Sequence, residues 1–371
     1  MKYDVVIVGG GPAGSLSAAL LAAQGRHVLL VDAARFPRPK ACAELISPGG
    51  VAILERLGVL SKLTSGRRLR GMQVHSPGGY CHTLEYPHRA LSIERRDLDH
   101  TLLEFARSSG AQVREHFPVR GILKTDGCVS GVIGPHTEAI KADLTVGADG
   151  LHSVVARDLH LRRPQFWPRR LGLTAHFTDV DWSEDVGEML VSGAGYVGVA
   201  PLDDSGRLSL GLVQPLPRGR LGPSSGALDR TLRDVYPDLH RRLSRGHLDG
   251  HVAGIGPMAT RVHPTAGAGY ALVGDAAGFI DPFTGEGIFR ALRGAELLAE
   301  DVHTYAARRR GVFGAKERLV YAVQVVLRTP RLVDVAVRRL NERPSVAARL
   351  AEMLGDLEKA RLQIIWELFR P

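Results

Sequence analysis

The chain has 371 residues, 44% of them hydrophobic and 23% charged, which is enough to bury a sizeable core and too apolar for intrinsic disorder. Its three cysteines, Cys42, Cys81 and Cys128, form no CxxC pair, so neither a disulfide framework nor a zinc site is indicated, no metal is assigned, and a reducing cytoplasm fits. Of the formal charge of +9, +6 falls in 301–371 (14 Lys/Arg minus 8 Asp/Glu), but without a helix-turn-helix, zinc-finger or RNP-like pattern nucleic acid is not an expected partner.

Residues 3–8 are a short β-rich run with no charge after Asp4, of the kind buried on both faces of a parallel sheet. A helix over 12–24 and a second strand over 27–31, ending at Asp32, complete a βαβ unit. The glycines and the proline inside 5–23 interrupt what would otherwise read as a secretory signal. No segment supplies the roughly 18 uninterrupted apolar residues of a membrane span. The spacing of Leu102, Leu103, Phe105 and Ala106 predicts a helix over 99–110, Asp126-Gly127 predicts a hairpin turn, and 143–146 reads as a returning buried strand. Between about 158 and 259 the pattern changes to short alternating runs (171–177, 195–199, 208–213), which predict an antiparallel sheet. Residues 270–273 form another buried strand, followed by a glycine-rich stretch and a helix to about 302. From 311 onward the chain reads as helical, with breaks near Pro330 and Pro344.

Gly9, Gly11 and Gly14 make a G-x-G-x-x-G between the first strand and the first helix, with Pro12 and Ala13 opening that helix. The first glycine permits a tight turn, the second lets backbone approach a pyrophosphate, and the third lets helix and strand pack closely; the helix N-terminus favours the phosphate charge. Asp32 is placed to accept hydrogen bonds from ribose hydroxyls. The same spacing recurs at 193–198, but strand-like residues and Pro201 follow it, so it is not read as a second dinucleotide site.

Two further motifs stand at 147–153 (Gly-Ala-Asp-Gly-Leu-His-Ser) and at 274–287, where Gly274-Asp275 is followed by Pro282 and Gly285-Glu286-Gly287. Together with the first motif, in this order, they resemble the FAD-dependent oxidoreductases of the para-hydroxybenzoate-hydroxylase-like type and, more closely, the geranylgeranyl-reductase-like type. The likeness is weakest between about 160 and 260. It implies an α/β (mixed α+β) fold: a discontinuous Rossmann-type FAD-binding domain (1–60, 94–157 and 259–310), an antiparallel-sheet substrate domain (61–93 and 158–258) and a helical C-terminal tail (311–371).

The resemblance also implies that the FAD-binding residues are Gly9, Gly11, Pro12, Ala13, Gly14, Asp32, Lys40, Cys42, Arg95, Asp149, Gly274, Asp275, Pro282, Gly285, Gly287 and Ile288. Asp275 belongs on the ribityl or ribose hydroxyls, and Gly285 to Gly287 at the start of a helix aimed at the flavin ring, where negative charge develops on reduction. Asp149 has a second reading as a cap for the helix after it. Ala43 stands where the family usually has glycine. The implied reductant is NAD(P)H, bound transiently, and the implied substrate a small hydrophobic isoprenoid, quinone or polyketide-like molecule that is reduced at a double bond or hydroxylated. The family's Tyr-x-Trp-x-Phe-Pro strand corresponds to 196–201, where Gly198 and Ala200 replace the two large aromatics and open room beside the flavin. Trp167, Trp182 and Trp366 do not form the paired-tryptophan motif of flavin halogenases. No catalytic acid or base is assigned. A flavin-holding protein without turnover, serving binding or assembly, is the alternative. Apolar runs at 319–326, 332–337 and 364–369, with Arg338 and Arg339, suggest either core-facing helices or a peripheral membrane contact through the C-terminal segment.

Overall fold

The computed structural model describes residues 2–163, 165, 167–216 and 224–370. Its first sheet is the predicted parallel one: Tyr270–Leu272, Ala139–Gly147, Lys2–Val8, Val28–Val31 and Gln112–Arg114 lie side by side, each pair parallel. Val5 and Ile7 point into a core with Leu16 of α1 (Pro12–Ala23) and Leu102 of a later helix, while Val6 and Val8 point to the opposite layer with Phe117 and Val155. Burial on both faces explains why the run carries no polar alternation, and Val5, Val6 and Ile7 are 0% exposed. Full burial of such a side chain contributes about 1.5–3 kcal/mol. The hairpin at Asp126-Gly127 forms as predicted, both residues having positive φ (51° and 79°), the backbone a two-residue mirror-image turn requires.

After α2 (Pro48–Arg56) the chain enters a second sheet of order His247–Ile255, Arg170–Thr178, Leu208–Pro215, Gly195–Pro201, Val186–Ser192, Arg67–His75, Cys81–Ser92 and Leu45–Ile46. It is antiparallel at every pairing except one: Val186–Ser192 runs parallel to Arg67–His75, because the strand hairpin from the first half of the chain is annexed as its edge. The second G-x-G-x-x-G lies in a strand hairpin, with Gly195 at φ 141° opposite Ser192, and opens no helix.

α3 (Arg95–Ser108) begins four residues before the predicted start, since Arg95 is held to Asp99 one turn on. α4 (Val154–Asp158) follows the 147–153 motif. α5 (Ser225–Val235) and α6 (Pro237–Leu243) were not anticipated. Their Leu228, Leu232, Leu239 and Leu243 cover one face of the second sheet beside Leu173, Val197 and Leu208, leaving the other face free to roof a cleft. α7 (Gly287–Glu300) leaves the glycine-rich stretch and packs on α1.

α8 (Tyr305–Leu327), α9 (Pro330–Glu342), α10 (Pro344–Leu354) and α11 (Gln363–Phe369) complete the chain, with Pro330 and Pro344 opening helices rather than merely ending them. Leu319, Leu340, Leu350, Met353, Ile364 and Leu368 form one core with Leu84 of the second sheet, so the apolar stripes of the tail face inward. Val325, Leu332 and Trp366 are exceptions, at 55%, 38% and 66% exposed. No helix among the described residues is long and apolar enough to cross a membrane.

Candidate active site

A cleft of about 590 Å³ runs between the parallel sheet and the open face of the second sheet, within the usual range for small-molecule and cofactor sites. Of the sixteen residues expected at the cofactor, fifteen line it: Gly9, Gly11, Pro12, Ala13, Asp32, Lys40, Cys42, Arg95, Asp149, Gly274, Asp275, Pro282, Gly285, Gly287 and Ile288. Gly14 does not; a Cβ there would lie 1.8 Å from the Gly9 carbonyl oxygen, so it acts through close helix–strand packing.

One end of the cleft is an anion cradle. A Cβ on Gly11 would meet nothing nearer than Arg95 Nη2 at 3.8 Å and Arg38 Nη2 at 3.9 Å, so open space at the N-terminus of α1 is flanked by two guanidinium groups. Arg95 donates to both oxygens of the fully buried Asp99 at 2.8 and 2.9 Å, and Arg38 stands 3.3 Å from the same carboxylate; Asp99 thus aims both cations. Arg38 Nη1 is buried without a hydrogen-bond partner. Burial, with Arg38 and Arg95 close by, pushes Lys40 below the ordinary lysine range, as in a pocket that already holds surplus positive charge. Asp32 accepts from Gly10 N at 2.6 Å and Ala34 N at 2.7 Å, clasping the turn while still lining the cleft. These features fit the pyrophosphate and ribose of a dinucleotide.

Asp275 lies further along. Burial raises its carboxyl above the usual aspartate range, opposed by Arg95, Lys40 and Arg290. Asp149 accepts from Val154 N at 2.7 Å, which is the capping role, while its Oδ1 is buried without a partner. Gly285 has φ +67°, and the N-terminus of α7 opens onto the cleft through Gly287 and Ile288. The Glu286–Arg290 pair at 3.1 Å is part of a larger buried network and does not face the cleft.

The far end is apolar, lined by Leu173, Met189, Tyr196, Leu212, Val213, Ile255 and Met258. Here Gly198 pairs with Gly211, and Gly172 with Val213, so this part of the roof is largely bare backbone. The space left by the aromatic missing at Gly198 is partly taken by methionine, since a Cβ there would meet Met189 Cε at 3.3 Å; on a neighbouring part of the roof a Cβ on Gly172 would meet Met258 Cε at 2.6 Å. Such flexible side chains adapt to an irregular ligand. The resemblance sets the loop from Arg38 to Glu44 beside the flavin without giving Arg38 or Glu44 a role of its own, and it singles out neither methionine nor His176. Their signals were present: Arg38 and Glu44 flank Lys40 and Cys42, and His176 shares strand parity with Gly172 and Thr174, both of which line the cleft.

A parallel sheet with a glycine-turned helix N-terminus, an acid after the second strand, and an apolar cleft beneath a second sheet define a flavin-dinucleotide oxidoreductase. The FAD binding domain family matches residues 2–304, and the chain belongs to it, among the geranylgeranyl-reductase-like oxidoreductases. "Menaquinone reductase" of Mycolicibacterium smegmatis is 31% identical over 325 residues, covering 81% of this chain and 76% of that protein. "Digeranylgeranylglycerophospholipid reductase 2" of Methanopyrus kandleri is 31% identical over 310 residues, covering 79% and 74%. Among solved structures, the flavin-dependent brominase Bmp2 superposes with a TM-score of 0.85 at 21% identity, covering 96% of this chain and 94% of that one, a likeness of fold alone.

Asp275→Ala is expected to weaken FAD binding by about 1–3 kcal/mol, the usual cost of stranding the partners of a charged hydrogen-bonding group. Fluorescence titration of apoprotein with FAD measures it, and unchanged affinity removes Asp275 from the site.

Proposed function

We propose that this protein transfers hydride from NAD(P)H, by way of FAD, to a carbon–carbon double bond of an isoprenoid chain carried by a quinone or lipid. The observation that carries this reading is the apolar end of the cleft, which meets the N-terminus of α7 where the flavin ring belongs; the names of the relatives support reduction over hydroxylation. Bound FAD supplies the two-electron acceptor and donor. The chain supplies the rest: Gly11, Arg38 and Arg95 hold the pyrophosphate, Asp275 the ribityl or ribose hydroxyls, and the α7 N-terminus stabilises negative charge near the ring. Val213, Ile255 and the two methionines exclude water and position the apolar chain. In steady state, a menaquinone with a short isoprenoid chain is expected to raise NAD(P)H oxidation several-fold above the substrate-free rate; no stimulation by any isoprenoid quinone or lipid contradicts the reading.

We further propose that such a substrate is met at an anionic lipid surface through the elbow between α8 and α9. Val325 and Leu332 are 55% and 38% exposed there, Arg328 and Arg331 are exposed between them, and 325–332 contains no acid. Val326, Leu327 and Val333 beside them pack against Met189, Tyr196 and Met258, residues that line the cleft. Buried apolar area plus attraction to anionic lipid is the basis of interfacial binding. Co-sedimentation with phosphatidylglycerol vesicles is expected to fall with salt and to be lost in Val325→Asp/Leu332→Asp, with FAD retained. Wild type that stays in the supernatant at every lipid composition overturns it.

A further inference from the structure

Saturating a double bond consumes one proton along with each hydride, and a cleft that excludes water needs a route by which that proton enters. Glu44 stands at the ring end of the cleft: Ala43 lies against Gly211 of the roof, where a Cβ would come within 3.1 Å, and Leu45 lies 3.2 Å from the Cβ position of Gly285. Its side chain is buried and its backbone is left-handed, φ 60°, a conformation that a non-glycine residue keeps only where its surroundings hold it. Four hydrogen bonds hold it there. Glu44 N donates to Cys42 Sγ at 3.3 Å, Ile93 N donates to the Glu44 carbonyl at 3.0 Å, Arg95 N donates to Oε1 at 3.0 Å, and His176 Nε2 donates to Oε2 at 2.7 Å. The His176 side chain is 30% exposed, so the pair has one end in the cleft and the other at solvent.

We propose that His176 and Glu44 form the proton inlet of the cleft, His176 taking a proton from water and Glu44 passing it to the reacting centre. The inlet rests on the hydride-transfer reading above. NAD(P)H, H+ and the alkene give NAD(P)+ and the saturated chain: hydride that has come by way of the cofactor bonds to one alkene carbon as the π bond breaks, and the Glu44 proton bonds to the other. Glu44 is left as carboxylate, is reprotonated by His176, and His176 is recharged from water. The groups facing His176 are Glu44, Glu94 and Arg207, with Ser209 and Asp249 on the paired strands; Arg207 is itself bound to Glu94 at 2.5 Å and Asp249 at 3.5 Å. The hydrogen bond to Glu44 raises His176 above the ordinary histidine range, against burial and Arg207, and so favours the charged, proton-donating form of the ring. The stabilisation this link adds is full below the ordinary histidine pKa and is lost as pH rises through the raised folded value.

The test follows reoxidation of the reduced holoprotein in anaerobic stopped flow, with a short-chain menaquinone in one arm and ferricyanide, which takes electrons only and obliges the flavin proton to leave, in the other. Glu44→Gln and His176→Ala are each expected to slow both arms at least tenfold with flavin content unchanged, and added imidazole should restore His176→Ala but not Glu44→Gln. In histidine NMR titrations of the full chain, Glu44→Gln should move the His176 midpoint down toward the ordinary range. Rates within twofold of wild type, or a His176→Ala defect that imidazole leaves untouched, overturn the inlet. If menaquinone fails to reoxidise the wild type while ferricyanide shows the defect and its rescue, the substrate reading falls and the inlet stands.

Discussion

Gly11→Val is expected to yield a folded, colourless protein that takes up FAD at least about a hundredfold more weakly than wild type, equivalent to about 2.8 kcal/mol at 1.4 kcal/mol per tenfold. The substitution separates binding from folding because of where Gly11 stands. A Cβ on Gly14 would collide with the Gly9 carbonyl, and one on Gly9, already at φ 103°, would meet the Ala148 carbonyl at 2.5 Å, so changes there distort the turn itself. A side chain on Gly11 instead enters the space between Arg38 and Arg95 that the pyrophosphate requires. Absorbance of the purified protein, circular dichroism and FAD titration check the result. A yellow Gly11→Val protein with wild-type affinity removes the dinucleotide from this turn.

Lys316→Ala is expected to destabilise the protein by about 3–5 kcal/mol, the cost of leaving buried charges without their partner. Lys316 of α8 is 6% exposed; its Nζ donates to the Met353 carbonyl and lies 2.8 Å from Asp356 and 3.6 Å from Glu286. Burial raises Asp356 above its usual range even with the ammonium beside it, so removing the cation leaves two acids facing each other in the core. The same contacts tie the tail to Glu286, one residue before α7, the helix whose N-terminus opens onto the cleft. Urea unfolding measures the change, and FAD should be lost in the same transition. A loss below about 1 kcal/mol means that Asp356 and Glu286 are satisfied elsewhere. By this account deleting 345–371 unfolds the protein rather than freeing a lipid-binding tail, since Val346, Leu350, Met353 and Ile364 are core residues.

The parts legible in the sequence are those whose physics is local. Gly9, Gly11 and Gly14 announce a turn through spacing alone, and Asp126-Gly127 announces a hairpin through its backbone demands. The apolar run at 5–8 names a strand covered on both sides. What escaped depends on residues far apart in the chain. The early start of α3 follows from Arg95 gripping Asp99, itself buried only because Arg38 and Arg95 converge on it. His176 reaches Glu44 across 132 residues, and Lys316 reaches Asp356 through the fold of α10 back onto α8. The parallel pairing of Val186–Ser192 with Arg67–His75 joins segments with no shared local signal. α5 and α6 are a different case: Leu228 and Leu232, then Leu239 and Leu243, carry helical spacing, but their setting among sheet-like runs masked it. Met189 over Gly198 shows why a missing aromatic does not by itself define an empty pocket.

The most direct measurement is the mass of the product formed in one anaerobic turnover. Holoprotein reduced stoichiometrically with NAD(P)H is mixed with a short-chain menaquinone, the flavin spectrum is followed to completion, and the extracted lipid is weighed by mass spectrometry after reoxidation of its ring. The account predicts reoxidation of the flavin without oxygen and a product two hydrogens heavier, with the gain in the isoprenoid chain. A flavin that stays reduced until oxygen is admitted, followed by a product one oxygen heavier, would contradict it and assign the cleft to hydroxylation.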